Sequence, residues 1–310
     1  MQRELTVIIC THNRANSLLR TLDTLRQCRH PQRDAWEVLV VDNAGEDHTH
    51  LVVAHFDPEL PVSYAYELQR GKCHALNRAL ALARSDRLIF LDDDVLPAHE
   101  LLTTYWRAFE ENPDVALFGG PVQVVLPQCC DRDLVALPQT RNVLAQADFG
   151  EIERFLVYPE APIGGNMAVR RSALGGELHF NPVSAYGAAR GLALEDGAFT
   201  ARVMRKGFQV LYLPEARVGH VVRGDQVKLS YFRERYANAL IAQEQLDEIG
   251  GCAEFLGVPR YHFRRWLRHL GAYARALLGS RRGRLAASLE LSASWKAICF
   301  YRARGRPLLA

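Results

Sequence analysis

The chain lacks the features of a membrane-spanning, disulfide-built or zinc-held protein. A spanning helix needs about 18 consecutive apolar residues. The longest uncharged apolar run, Val115 to Cys130, is broken by Gly119, Gly120, Pro121 and Pro127. Cysteine occurs seven times but never as Cys-x-x-Cys, and the one adjacent pair is Cys129–Cys130. Neither a disulfide framework nor a cysteine zinc site is expected, and a reducing cytosol suits the chain. Leu5–Cys10 already reads as a strand, which leaves no room for a signal peptide. Internal repeats and low-complexity tracts are absent too. Hydrophobic residues at 48% and charged residues at 24% exclude a disordered or fibrous chain. Acid is scarce at one end only: Gly251–Ala310 holds twelve Lys and Arg against two Asp and Glu, while the first 250 residues hold 26 against 33. A cytoplasmic protein is expected, with an acidic part that carries the chemistry and a basic part that docks.

What is present alternates. Leu5–Cys10 and Trp36–Asp42 are β-branched runs of the kind covered on both faces, followed by Val62–Glu67 and Arg87–Leu91. Leu18, Leu19, Leu22 and Leu25 recur at helical spacing, with Asn16 or Ser17 placed to cap, and a second helix is expected over about 72–83. Strands separated by helices of this length predict βαβ units and a mainly parallel α/β sheet flanked by helices. Ligands of such sheets bind beyond the carboxyl ends of the strands. Here those ends carry Thr11-His12-Asn13-Arg14, Asp42 and Asp92-Asp93-Asp94. Val115–Val125 reads as strand, 127–162 as a surface excursion, and the chain beyond 226 as helices. The expected division is therefore 1–225 and a basic helical region, 226–310.

Five groups could do chemistry. In an extended chain Asp92 and Asp94 share a face while Asp93 points elsewhere, and carboxylates this close repel unless a cation compensates. Mg²⁺ or Mn²⁺ held by one or two carboxylates and phosphate oxygens fits them; a solvated turn is the plain alternative. Asp42 could accept hydrogen bonds from a nucleotide base, with Thr11 and Arg14 on the same floor, or merely cap a turn. Arg70-Gly71-Lys72 with Asn77 could receive a diphosphate at a helix N-terminus, although no Walker loop is present. Glu195-Asp196 opens a helix, where acids are expected from the dipole alone; a general base is the functional alternative. His220 is a structural histidine or a metal ligand folded back beside Asp94.

Taken together, these segments resemble the family 2 glycosyltransferases, inverting enzymes of the Rossmann-like GT-A fold. The matching pieces are Val7–Arg14, Val38–Asn43, Gly71-Lys72 with Ala75 and Asn77, Phe90–Pro97, Gly165–Arg171, Leu194–Asp196 and Val210–His220. They run in family order over about 1–222. The resemblance implies that Asp42 reads the base beside Thr11 and Arg14. It implies that Asp92 and Asp94 form the D-x-D motif, with Asp94 the direct metal ligand and Asp92 and Asp93 nearer the ribose. It makes Asp196 of the Glu195-Asp196 pair the catalytic base, lets His220 complete the metal shell, and sets Gly165-Asn166 beside the transferred sugar. One departure is the loop Asn43-Ala-Gly-Glu-Asp47, which lacks the family's usual Ser or Thr.

The implied reaction moves a sugar from a nucleotide-diphospho-sugar to a saccharide or lipid-linked hydroxyl by one metal-assisted displacement, in bacterial-type polysaccharide or glycoconjugate synthesis. Two alternatives are a sugar-nucleotide nucleotidyltransferase, which would prefer a Gly-rich loop after the first strand, and a nucleotide-binding relative without turnover. Over 260–278 aromatic and Leu residues share one helical face and Arg residues another, as in an interfacial helix at the inner face of a membrane. A helix packed on the catalytic region or on a second copy in a homo-oligomer is the other reading. Nucleic acid is not expected, because no recognised binding motif accompanies the charge.

Overall fold

The computed structural model describes residues 4–30, 35–181, 195–246 and 253–304. The chain divides into two compact units. One is built from the residues up to Val125 and from stretches that begin at Ala145 and end at Val221; the other is built from Leu126–Leu144 and the residues from Val222 onward.

The first unit opens with β1 (Leu5–Thr11), α1 (Ala15–Arg26), β2 (Trp36–Asn43), α2 (Thr49–Phe56), β3 (Val62–Glu67), α3 (Lys72–Leu82) and β4 (Arg87–Asp92). It continues with β5 (Val95–Pro97), α4 (Leu101–Glu111), β6 (Leu117–Gly119) and β7 (Val122–Val125). Two short helices of the second unit, α5 (Arg132–Val135) and α6 (Pro138–Val143), come next. The first unit then resumes with β8 (Arg154–Phe155), β9 (Asn166–Arg170), α7 (Arg171–Leu174), α8 (Glu195–Arg205), β10 (Val210–Tyr212) and β11 (Val218–Val221). The second unit ends the chain with α9 (Leu229–Leu246), β12 (Glu254–Phe255), β13 (Val258–Pro259), α10 (Arg260–Ala276) and α11 (Arg281–Arg304).

An eight-stranded sheet in the order β3-β2-β1-β4-β9-β6-β10-β8 forms the centre of the first unit. β1 to β4 pair in parallel, with β1, β2 and β4 the buried apolar runs that such a sheet covers on both faces. β9 interrupts this pattern, running antiparallel between β4 and β6. The strand residues alternate between two cores: Val7 and Ile9 face one with Leu18, Leu22 and Leu25 of α1, and Ile8 faces the other with Ala75, Leu76 and Ala79 of α3. Each of the three fully buried α1 leucines contributes about 2 kcal/mol of burial. The cap of α1 is not Asn16 or Ser17. The Ala15 N–H donates instead to Asp47 Oδ2 at 2.9 Å, so the loop after β2 holds the start of α1.

Two expectations change. Val115–Val125 is not one strand: it breaks at Gly120-Pro121, where proline offers no ladder donor, and β6 joins the large sheet while β7 joins a three-stranded one, β5-β11-β7. The excursion after 126 contains α5 and α6, too short to show a helical period. None of the described cysteines is joined in a disulfide. No helix among the described residues is long and apolar enough to cross a membrane.

Candidate functional site

Strand register alone brings the polar clusters to one edge of the first unit. Cys10 pairs with Asp92, Thr11 with Asp42, and Asp42 with Tyr66, so the ends of β1, β2, β3 and β4 lie side by side. β11 arrives from the other sheet with His220 in register against Val95 of β5, and the Val221 N–H donates to the Asp94 carbonyl at 2.8 Å. That pairing is what brings His220 Nε2 to 3.6 Å from Asp94 Oδ1.

The Asp triplet does not follow the alternation expected of an extended chain. β4 ends at Asp92 and the backbone turns at Asp93–Asp94, so the three carboxylates part differently. Asp93 points inward, 4% exposed, accepting from Thr11 Oγ1 at 2.7 Å and from an Arg14 guanidinium N–H at 2.9 Å. The same Arg14 nitrogen donates to Asp94 Oδ2 at 2.8 Å, and Lys72 Nζ donates to Asp92 Oδ1 at 2.8 Å. The repulsion within the triplet is thus relieved by the chain's own cations. Burial pushes the Asp93 carboxyl up to about 6 against the opposing pull of Arg14. Burial also penalises Asp94, but the neighbouring His220 imidazole and the charges of Arg14 and Lys72 hold it below the usual carboxylate value. With both oxygens engaged, Asp93 holds Thr11 and Arg14 in place.

Asp42 is 2% exposed. Its Oδ1 accepts the Gly45 N–H at 3.1 Å, the turn cap foreseen as the plain reading, and its Oδ2 accepts the Tyr64 hydroxyl at 2.9 Å. Burial, and then the bond to Asp42, push the Tyr64 phenol well above its ordinary pKa, so it stays a donor. Each Asp42 oxygen keeps a second lone pair. Tyr64 was missed in the sequence; the signal was a Tyr-x-Tyr pair on the strand beside the one that carries Asp42. Asn43 was missed as well. Its Oδ1 accepts the Gly71 N–H at 2.7 Å, its Nδ2 donates to the Gln69 carbonyl at 2.7 Å, and its own carbonyl accepts from His12 Nδ1 at 2.7 Å. Gly71 sits at φ +132°, open to glycine and strained for other residues.

Several expected donor contacts are taken up by the fold. Asn13, at φ 53°, uses Oδ1 to accept the Glu46 N–H at 2.7 Å and so fixes the loop after β2. Asn77 is clamped to the backbone of Phe180, donating to its carbonyl at 2.7 Å and accepting its N–H at 2.9 Å. Asn166 is fully buried: Nδ2 donates to the Pro121 and Ala216 carbonyls at 3.1 and 2.6 Å, and Oδ1 accepts from the Tyr105 hydroxyl at 2.8 Å. The expectations that Asn77 and Asn166 face the donor are corrected accordingly, because their amides are used within the fold. Asn166→Ala strands the Ala216 carbonyl and the Tyr105 hydroxyl, while the Pro121 carbonyl keeps the Val218 N–H, and is expected to cost about 3 kcal/mol, read as a lower urea midpoint at unchanged m. Gly165, by contrast, does border the site: a Cβ there would stand 2.6 Å from Asp92 Oδ2.

Glu195 and Asp196 open α8, and their side chains lie outside the described residues. Thr200, one turn further, touches Met167 Sδ at 3.9 Å, one residue along β9 from Asn166.

Residues 6–126 match the model of the family described as Glycosyl transferase family 2. A protein named as an uncharacterized glycosyltransferase, YfnE of Bacillus subtilis (strain 168), is 32% identical over 114 residues, 36% of this chain and 29% of that protein. Validoxylamine A glucosyltransferase of Streptomyces hygroscopicus subsp. jinggangensis (strain 5008) is 33% identical over 131 residues, 42% of this chain and 29% of that protein. The chain thus spans under a third of the length of these relatives. Among solved structures, the mannosyltransferase PcManGT from Pyrobaculum calidifontis in complex with GDP-Man and Mn²⁺ superimposes with a TM-score of 0.60 at 23% identity, over 99% of this chain and 89% of that one. S. aureus TarS 1–349 in complex with UDP gives 0.55 at 14% identity, over 98% and 93%. Parallel strands that end in Thr11, Asn43 and Asp92, the antiparallel β9 and these likenesses agree on a GT-A fold, and over residues 6–126 the chain is similar to glycosyl transferase family 2.

Proposed function

We propose that the chain transfers a sugar from a nucleotide-diphospho-sugar to a saccharide or lipid-linked hydroxyl, with inversion, in cytoplasmic polysaccharide or glycoconjugate synthesis. The observation that carries this reading is the convergence of Asp42, Arg14, Lys72, Asp92, Asp94 and His220 on one sheet edge. The remaining lone pairs of Asp42, fixed by Tyr64, suit the N–H of a base. Arg14 and Lys72, with the Gly71–Lys72 start of α3, suit a diphosphate.

A divalent ion fits the donor set. Asp94 and Asp92 offer hard carboxylate oxygens and His220 an imidazole nitrogen, which suits Mg²⁺ or Mn²⁺ held partly by the substrate's own phosphates. No cluster of three or more ligating side chains is gathered among the described residues, so protein atoms alone do not form a cage. When bound, the ion would neutralise charge growing on the departing diphosphate. Asp196 takes the proton from the attacking hydroxyl, and Glu195 adds negative charge beside it. A single displacement inverts the anomeric carbon, whereas retention through two displacements would need a nucleophilic carboxylate beneath the sugar.

A thermal-shift panel of nucleotide-sugars with Mn²⁺ or Mg²⁺, followed by the anomeric configuration of the product, tests the reading. A metal-dependent rise with one nucleoside-diphosphate sugar and an inverted product support it; no rise across the panel sinks it. Tyr64→Phe is expected to weaken donor binding about fivefold, the value of about one lost hydrogen bond, and to lower the melting temperature slightly because buried Asp42 loses a donor.

A further inference from the structure

The second unit presents an apolar face that its own core does not use. α10 turns His262, Arg265 and His269 inward: His262 is fully buried, Arg265 pairs with Glu244 of α9, and His269 Nδ1 donates to the Glu290 carbonyl of α11 at 3.1 Å. At 100° per residue Leu267 and Leu270 then point away, and together with Leu277 and Leu278 just past the helix end they are 60, 40, 53 and 95% exposed. The β12–β13 hairpin extends the strip. Phe255 and Leu256 are 54 and 66% exposed, and the Phe255 ring meets Phe263 of α10 edge-on at 5.7 Å. Arg260, Arg264, Arg268 and Arg275 stand exposed along one side. From Phe255 to Leu289 the sequence contains no Asp or Glu.

We propose that this face is a docking surface for an anionic lipid bilayer, with α10 lying in the plane of the interface. The leucines and the hairpin tip enter the acyl boundary while the arginines meet headgroup phosphates. A second copy of the chain fits poorly, since a shared two-fold would set arginine rows together with no acid of the strip to neutralise them. Exposed leucines also have no counterpart on nucleic acid. The surface stands by itself and does not rest on the transferase reading.

Flotation of the full chain with vesicles tests it. Phosphatidylcholine vesicles with about a third phosphatidylglycerol are expected to bind it at least about tenfold more tightly than phosphatidylcholine alone, and salt is expected to weaken the binding. Leu267→Glu with Leu278→Glu, and separately Arg264→Glu with Arg268→Glu, should each lower binding about tenfold at an unchanged melting temperature. Equal binding to both vesicle types, or double variants that bind as wild type, overturns the proposal. So does a dimer in sedimentation velocity that Leu278→Glu dissociates.

Discussion

Asp196→Asn is expected to leave donor affinity unchanged and to cut transfer by about a thousandfold, the middle of the range for a lost general base. The amide keeps the shape and removes the basicity. A hydroxyl with its proton still attached is a poor nucleophile, and no side chain named at the end of β4 is free to replace the base. Asp92 is tied to Lys72, while Asp93 and Asp94 share Arg14. Affinity should survive because the groups assigned to the nucleotide stand on β1, β2, β4 and α3. Calorimetry for binding, with a coupled assay for diphosphate release, separates the two effects. Transfer within threefold of wild type would remove Asp196 from the proton path.

Asp94→Ala is expected to act on binding itself, abolishing the metal-dependent part of donor affinity, a loss of at least about a hundredfold. Asp94 joins three groups at once: its Oδ2 holds Arg14 at 2.8 Å, its Oδ1 stands 3.6 Å from His220, and its carbonyl anchors β11 through Val221. The backbone bond survives the substitution, so the fold should hold while the charges around the ion are lost. Asp94→Asn, which preserves shape, should fail equally if charge decides. Titration of the nucleotide with and without Mn²⁺ reads the difference. A wild-type response to Mn²⁺ in either variant would transfer the metal elsewhere.

The parallel half of the fold is legible because β1, β2 and β4 are covered on both faces and therefore spelled as unbroken apolar runs. The chain beyond Gly119 is harder to read. β9 offers only five residues, Asn166–Arg170, and nothing in them says that they run against β4 instead of beside it. At the site, residue types announced the chemistry but not the division of labour. Period two placed Asp92 with Asp94, yet the chain turns after Asp92, and the carboxylate turned inward is Asp93. Asn77 and Asn166 matched family motifs while serving as backbone clamps, a distinction that spacing does not contain. Tyr64 escaped notice because its partner Asp42 lies on another strand.

The excursion after β7 has a consequence for synthesis. Leu134, Leu137 and Leu144 are buried in the second unit, where α5 lies against α11 and α6 against α9, and Arg281 reaches Asp131 across 150 residues of sequence. At ribosomal speeds of about 5–20 residues per second, these leucines emerge roughly 4–30 seconds before their partners. During that interval they are sticky surface on a nascent chain whose neighbouring strands are already pairing. Chaperones that hold unfinished chains, and proteases that destroy stalled ones, would find their handle there, and a transcript cut short before α11 would yield a polypeptide that keeps the handle exposed permanently.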